Sequence, residues 1–268
     1  MLLTLFSIYN RIDTLILPHL RSFVENGYYT AVYKFWDTLA FVPAVVAASL
    51  YPYFAESLAR GERQQAGEVL ETYTRYMLAL GVPLSIGAFA LALPLTVSFF
   101  GPAFAPAAPA LWLLVAAVSV LFVYVPVNSI IISQKTKAAT IITGTTLAIN
   151  LICNFTFIPR YGFVAAAVIT LGSELIQLAG YTIVVKRRIV DFPYWRSFIK
   201  PIAAGAIMAA GLYFTAGLNL WFNIAAGGLI YAAALLAFGF FRPQDWLLFK
   251  AAVDFRQKIE PPSEGPLI

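Results

Sequence analysis

Histidine and cysteine are almost missing from this chain: one of each, His19 and Cys153, in 268 residues. A single Cys excludes a disulfide framework and any Cys-based zinc site. A single His excludes His-cluster metal chemistry. Charge is also scarce. Asp, Glu, Lys and Arg make up only 12% of the sequence, against about 25% in an ordinary soluble domain. With 60% of the residues hydrophobic, a soluble fold could not cover its surface. The composition therefore excludes a soluble enzyme, a disordered protein and a nucleic-acid-binding domain. The formal net charge of +5 matters only through which loops hold the Lys and Arg.

What is present is a series of long apolar runs. A transmembrane helix needs about 20 mostly apolar residues. Eight stretches qualify as spans: 1–18, 28–54, 76–99, 109–133, 139–158, 163–185, 200–217 and 221–241. Strands of a membrane barrel would be about 10 residues long with strict alternation. These runs are longer and apolar on all sides, so helices are expected. Residues 1–18 do not read as a secretory signal, because the stretch lacks a basic start and Arg11 and Asp13 interrupt it. The expected fold is all-α, a polytopic transmembrane helix bundle of about eight spans.

Basic residues set the orientation. The 55–75 loop holds Arg60, Arg63 and Arg75, and the 134–138 loop holds Lys135 and Lys137. The 186–199 loop holds Lys186, Arg187, Arg188 and Arg196, with Lys200 at its edge, and the tail holds Arg242, Lys250, Arg256 and Lys258. The opposite loops hold only Arg21 and Arg160. The positive-inside rule places the rich side, and both chain ends, in the cytoplasm. The outer loops are short and offer no pair of carboxylates, since Glu25 is their only acid. This disfavours a membrane glycosyltransferase or polymerase, and no catalytic residue or cofactor is expected. In the tail, Trp246, Phe249 and Val253 recur at helical spacing with basic residues between them, which suits a helix lying in the cytoplasmic interface. The stretch from Pro261 to Pro266 reads as a disordered end.

Several stretches together resemble a known family. Asn10-Arg11-Ile12-Asp13 lies in the first run. Gly27-Tyr28-Tyr29-Thr30-Ala31 opens the second, and Leu50-Tyr51-Pro52 closes it. Phe100-Gly101 is followed by Phe104, Ala107-Ala108 and Leu111. Ile149-Asn150 and Asn154 lead to Ile158-Pro159-Arg160-Tyr161-Gly162, then to Ala165-Ala166-Ala167 and Thr170-Leu171-Gly172-Ser173-Glu174. In this order the chain resembles the oligosaccharide-lipid and polysaccharide flippases of the multidrug/oligosaccharidyl-lipid/polysaccharide flippase superfamily. Ala165 stands where the pattern usually has Gly. The resemblance covers roughly residues 8–188.

Members of that family typically have about twelve to fourteen spans in two six-helix lobes. The matched motifs belong to the second lobe, and Met1 falls inside the expected seventh helix. The resemblance thus implies a fragment: a second-lobe bundle over 1–199, an additional helix pair over 200–241, and a cytoplasmic interfacial helix with disordered tail over 242–268. It implies a flippase that moves a lipid-linked oligosaccharide or polysaccharide precursor across the cytoplasmic membrane by alternating access. The implied partners are the lipid bilayer, a polyprenyl-pyrophosphate-linked sugar as substrate, and a missing first lobe or a second copy of the chain. Two rival readings are a multidrug cation antiporter of the same superfamily and a non-transporting membrane scaffold or gene remnant.

An ionisable residue at membrane depth is a functional hypothesis by default. Arg11 and Asp13 lie in the first run, Lys34 and Asp37 in the second, and Glu174 in the sixth. Helical rise places the first four in one layer, roughly 10 Å below the outer end. One reading is a neutral ion-pair lattice between two helices. The other is that Arg11 and Lys34 face a cavity and attract a substrate pyrophosphate, while Asp13 or Asp37 couples a cation to transport. A second group flanks the outer turn at Gly162: Asn150 lies twelve residues before it and Glu174 twelve after, with Asn154 and Gln177 one turn away. It reads as interhelical hydrogen bonding or as a site where Glu174 carries a proton. Pro43, Pro83, Pro94 and Pro126 permit kinks within the runs. The Gly/Ala stretches 203–211 and 225–228 mark close helix packing.

Overall fold

The computed structural model describes residues 12–134, 137–190, 196–215 and 217–242. Every regular element among them is a helix. Helix α1 covers 12–20. It is followed by α2 (Phe23–Ala59), α3 (Arg63–Phe100), a 3-10 segment (Pro102–Ala107), α4 (Ala108–Ser133), α5 (Ala138–Arg188), α6 (Arg196–Phe214) and α7 (Leu220–Ala237). Among the described residues, six helices are long and apolar enough to cross a bilayer. α5 has 51 residues and breaks at Gly162 (φ 65°, ψ −153°), so it forms two antiparallel arms. These arms are the runs expected at 139–158 and 163–185. The chain is a polytopic bundle of transmembrane helices and hence a multi-pass integral membrane protein. Arg11, Lys135, Trp195, and the tail helix and disordered end expected beyond Arg242 lie outside the described residues.

The helices run further than hydropathy alone implies. The segment 55–75, read from sequence as a loop, is helix except at a tight turn. α2 continues to Ala59, and α3 starts at Arg63. Its charged residues are good helix formers, and they pair along the helix: Arg60 bridges Glu56, and Gln64 Nε2 donates to Glu68 Oε1 at 3.1 Å. Gly61, at φ 79°, supplies the left-handed residue that lets the chain reverse. At about 1.5 Å per residue, the 38 residues of α3 reach about 57 Å, well beyond an apolar core of about 30 Å. The surplus projects at the basic end.

α4 is the centre of the bundle. Its sequence is apolar on every side, from Leu111 to Ile132, so no face favours water and the helix is buried all round. α2, α3 and α5 surround it. Close approach is bought by small residues: a Cβ on Gly81 of α3 would stand 3.1 Å from the Ser119 carbonyl oxygen of α4. The buried serine hydroxyls of α4 are satisfied on their own helix. Ser119 Oγ donates to Val115 O at 2.8 Å and Ser129 Oγ to Val125 O at 3.0 Å.

α6 and α7 form a hairpin against α3, with their own small core of Ala79, Ala204, Met208, Leu212, Tyr231 and Phe240. Glycines set the contacts: Gly205 lies against Val82 and Ile86, Gly211 against Ile230, and Gly227 against Met208 and Leu212. A clasp joins this hairpin to α3 at the basic end. The guanidinium of buried Arg75 lies over the rings of Tyr76 and Phe240, 5.5 and 5.4 Å from their centroids. Arg242 pairs with Glu71 at 3.7 Å, and Lys200 Nζ donates to Gly239 O at 2.6 Å.

Candidate functional site

Two tight turns meet at the end opposite the basic one. Ser22 caps α2, its hydroxyl accepting from Glu25 N at 3.2 Å. Glu25 then reaches across to α5: its Oε2 accepts from Phe163 N at 3.2 Å, just beyond the break. Arg21 completes the latch. It pairs with Glu25 Oε1 at 3.0 Å and donates from Nη1 to Pro159 O at 3.2 Å. Gly162 is required twice over, by its positive φ and by space, since a Cβ there would stand 2.3 Å from Glu25 Oε2. Ser22 and Glu25 thus fix where α2 starts, and Gly162 fixes how the α5 arms align.

That alignment builds the site. Asp13 lies five residues before Pro18 on α1, Tyr29 is on α2, and Asn154 and Thr170 each lie eight residues from Gly162 on the two arms. All four fall at about 8–12 Å below the turn by helical rise. Asp13 is only 5% exposed. Its Oδ2 accepts from Tyr29 Oη at 3.1 Å and Thr170 Oγ1 at 2.7 Å, and its Oδ1 accepts from Asn154 Nδ2. One carboxyl therefore ties α1, α2 and both arms of α5 together. Among the described residues its partners are hydroxyl and amide donors.

A polar seam continues from there toward the basic end. Asn154 Nδ2 also donates to Asn150 Oδ1 at 2.8 Å, and Asn150 Nδ2 to Ser173 Oγ at 3.1 Å. Glu174 and Gln177 follow, both 0% exposed. Tyr181 Oη lies 2.9 Å from Gln177 Oε1 and 2.7 Å from Thr143 Oγ1. The Tyr124 ring of α4 packs on Tyr181 at 5.4 Å.

The layer of four charges expected from sequence is divided in space. Asp13 faces the bundle interior. Lys34 and Asp37 lie on the outward face of α2, both exposed, with Thr30, Thr38 and Phe41 on the same face. Because α2 begins at Phe23, Lys34 sits about 17 Å below the turn rather than 10 Å. Asn154 bonds Asp13 directly, Asn150 joins through Asn154, and Glu174 lies one turn deeper in the same seam. Sequence reasoning passed over Tyr29, Thr170, Ser173, Tyr181 and Thr143 as site residues. Their signal was spacing: 143, 150, 154 on one arm and 170, 173, 174, 177, 181 on the other repeat at three, four and seven residues, which places each set on one helix face.

The fold and this buried seam define a polytopic helical membrane protein with a polar interior. The chain is similar to the solved structure of the lipid II flippase MurJ in its inward closed conformation, with a TM-score of 0.72 and 18% identity over 86% of this chain and 51% of that one. The chain therefore spans about half the length of that transporter. No family model and no curated protein matches it.

Proposed function

We propose that the chain is one lobe of a transporter that flips a lipid-linked oligosaccharide or polysaccharide precursor across the cytoplasmic membrane, driven by a cation exchanged at Asp13. The observation that carries this reading is the Asp13 network. A carboxylate at that depth costs several kcal/mol. Three interhelical hydrogen bonds return about 0.6 kcal/mol each, so the network does not offset the burial. A group held at such a cost is better explained by exchange of a cation than by pairing. Asn150, Asn154 and Glu174 would assist it along the seam. The likeness to a flippase fold supports the reading.

Substrate contact falls to the outward face of α2. Lys34 is a point charge suited to a pyrophosphate, with Arg11 as its expected companion and Asp37 balancing it. A charged face at this depth needs a watery cavity or a polar partner, which a first lobe or a second copy of the chain would supply. A cationic drug would want net acid on that face, and Lys34 opposes it. No covalent chemistry is involved.

Binding of a fluorescent polyprenyl-pyrophosphate sugar to the protein in nanodiscs tests the substrate class. The expected result is at least tenfold preference over the same lipid without its pyrophosphate, lost in Lys34→Gln. Equal binding of the two lipids, or full binding by the variant, would sink the assignment.

A further inference from the structure

We propose that the seam between the two arms of α5 is a water-lined path along which the coupling cation passes between Asp13 and the basic end of the bundle. The cation's use of the path rests on the coupling reading above; the hydration of the seam stands independently of it.

Geometry comes first. The seam starts at Asn154 and Thr170, eight residues from Gly162, and ends at Thr143 and Tyr181, each nineteen residues from it. By helical rise this runs from about 12 Å to about 28 Å below the turn, most of the way across an apolar core of about 30 Å. Two of its hydrogen bonds cross between the arms, Asn150 to Ser173 and Thr143 to Tyr181, whereas Thr96, Ser119 and Ser129 bond only back to their own helices. Small polar groups that served only to keep helices apart from unsatisfied hydroxyls would follow the second pattern.

Two atoms in the seam point to a ligand. Asn154 Oδ1 and Gln177 Nε2 are buried and have no hydrogen-bond partner among the described residues, and both residues are 0% exposed. One is an acceptor and the other a donor. Water satisfies both kinds, and buried polar groups of this sort are where internal water sits. They lie about 12 and 22 Å below the turn, on either side of the level of Asn150, Ser173 and Glu174. Water held at both levels would bracket Glu174, whose carboxyl offers the passing cation an oxygen ligand between Asp13 and Tyr181.

The path is closed at its basic end in this conformation. Tyr181 bridges Thr143 and Gln177 there, with Tyr124 against its ring. One turn beyond lie the buried apolar residues Ala139 and Val185, and then the exposed Lys186. Tyr181 is thereby placed as the inner gate, because losing its two hydrogen bonds leaves only one apolar turn between the seam and water.

Radiolytic hydroxyl-radical footprinting of the full chain in nanodiscs tests the hydration without any substitution. Radicals made from water inside the protein oxidise the side chains beside that water. Tyr29 and Tyr181, no more than 1% exposed, should be oxidised at least tenfold faster than the equally buried Phe54 and Phe122, after correction for each side chain's intrinsic reactivity. Rates matching those of the two phenylalanines would overturn the proposal. The cation's route is read separately with silver ion as probe, on a thiol placed by Gln177→Cys in a Cys153→Ala background. Modification from the basic side, accelerated at least tenfold by adding Tyr181→Phe, supports the path and the gate. An unreactive thiol in a folded variant overturns them. Wet tyrosines together with transport indifferent to Asp13→Asn would leave the seam hydrated and refute the coupling reading alone.

Discussion

Replacing Gly162 by alanine should damage the bundle far more than a one-carbon change in a membrane turn suggests. Two separate costs arise. At φ 65° and ψ −153° the backbone occupies a region reserved for glycine, worth about 1–3 kcal/mol for any other residue. The new Cβ would also stand 2.3 Å from Glu25 Oε2 and 3.2 Å from its Cδ, so the carboxylate must withdraw. Withdrawal breaks its bond from Phe163 N and disturbs the Arg21 pair. A hydrogen bond to a charged group is worth about 1.5–3 kcal/mol, and partial exposure of Arg21 and Glu25 takes that to about 1 kcal/mol. The sum is about 2–4 kcal/mol. Equilibrium unfolding in mixed micelles measures it, with Gly144→Ala as control, because nothing lies within 4 Å of a Cβ at that helical position. The double variant Glu25→Ala/Gly162→Ala should recover the clash but not the strain, so it should cost less than the two single changes added. A loss below about 0.5 kcal/mol in Gly162→Ala, within ordinary surface effects, would refute the reasoning.

Asp13→Asn should cost less than about 1 kcal/mol of stability, because an amide keeps hydrogen bonding without the buried charge; micellar unfolding checks this, and a large loss would make the residue structural. Gly205→Leu should loosen α6 from α3, since a Cβ there already falls 2.5 Å from Ile86 and 2.7 Å from Val82. Overpacking of this kind costs about 1–3 kcal/mol, visible as a lower thermal midpoint and partly restored by Ile86→Ala. Arg75→Ala should weaken the clasp between α3 and the α6–α7 hairpin by about 1–2 kcal/mol, and Arg75→Lys by less, by the same measurement.

Much of the fold is legible in the chain because the bilayer simplifies the problem. Apolar runs of the right length must be helices, and turns must fall between them. Gly162 marked the α5 turn, and the run 109–133 marked a helix, though not its central place. The lengths of α2 and α3 were not legible from hydropathy, because Arg60, Gln64 and Glu68 are polar and yet form helix by pairing along it. The site was legible in part. Asp13 in one group and Asn150, Asn154 and Glu174 in another were singled out, and one seam contains them all. Which face each helix turns inward was not legible, because helices apolar all round carry no amphipathic signal. For that reason Lys34 and Asp37 looked like neighbours of Asp13 in depth, whereas α2 presents them outward and Tyr29 inward. The latch between Glu25 and Gly162 joins positions 137 apart in the chain, and no local pattern announces such a contact.

The central claim is that the buried carboxyl of Asp13 links a cation to movement of an anionic lipid-linked sugar. Reconstitution in vesicles, with a fluorescent polyprenyl-pyrophosphate sugar in one leaflet and a proton or sodium gradient imposed, measures this link directly. The account predicts that one of the two gradients accelerates translocation, and that Asp13→Asn lowers the rate to that of protein-free vesicles. Translocation that ignores both gradients, or an Asp13→Asn protein that keeps the wild-type rate and ion dependence, would contradict it.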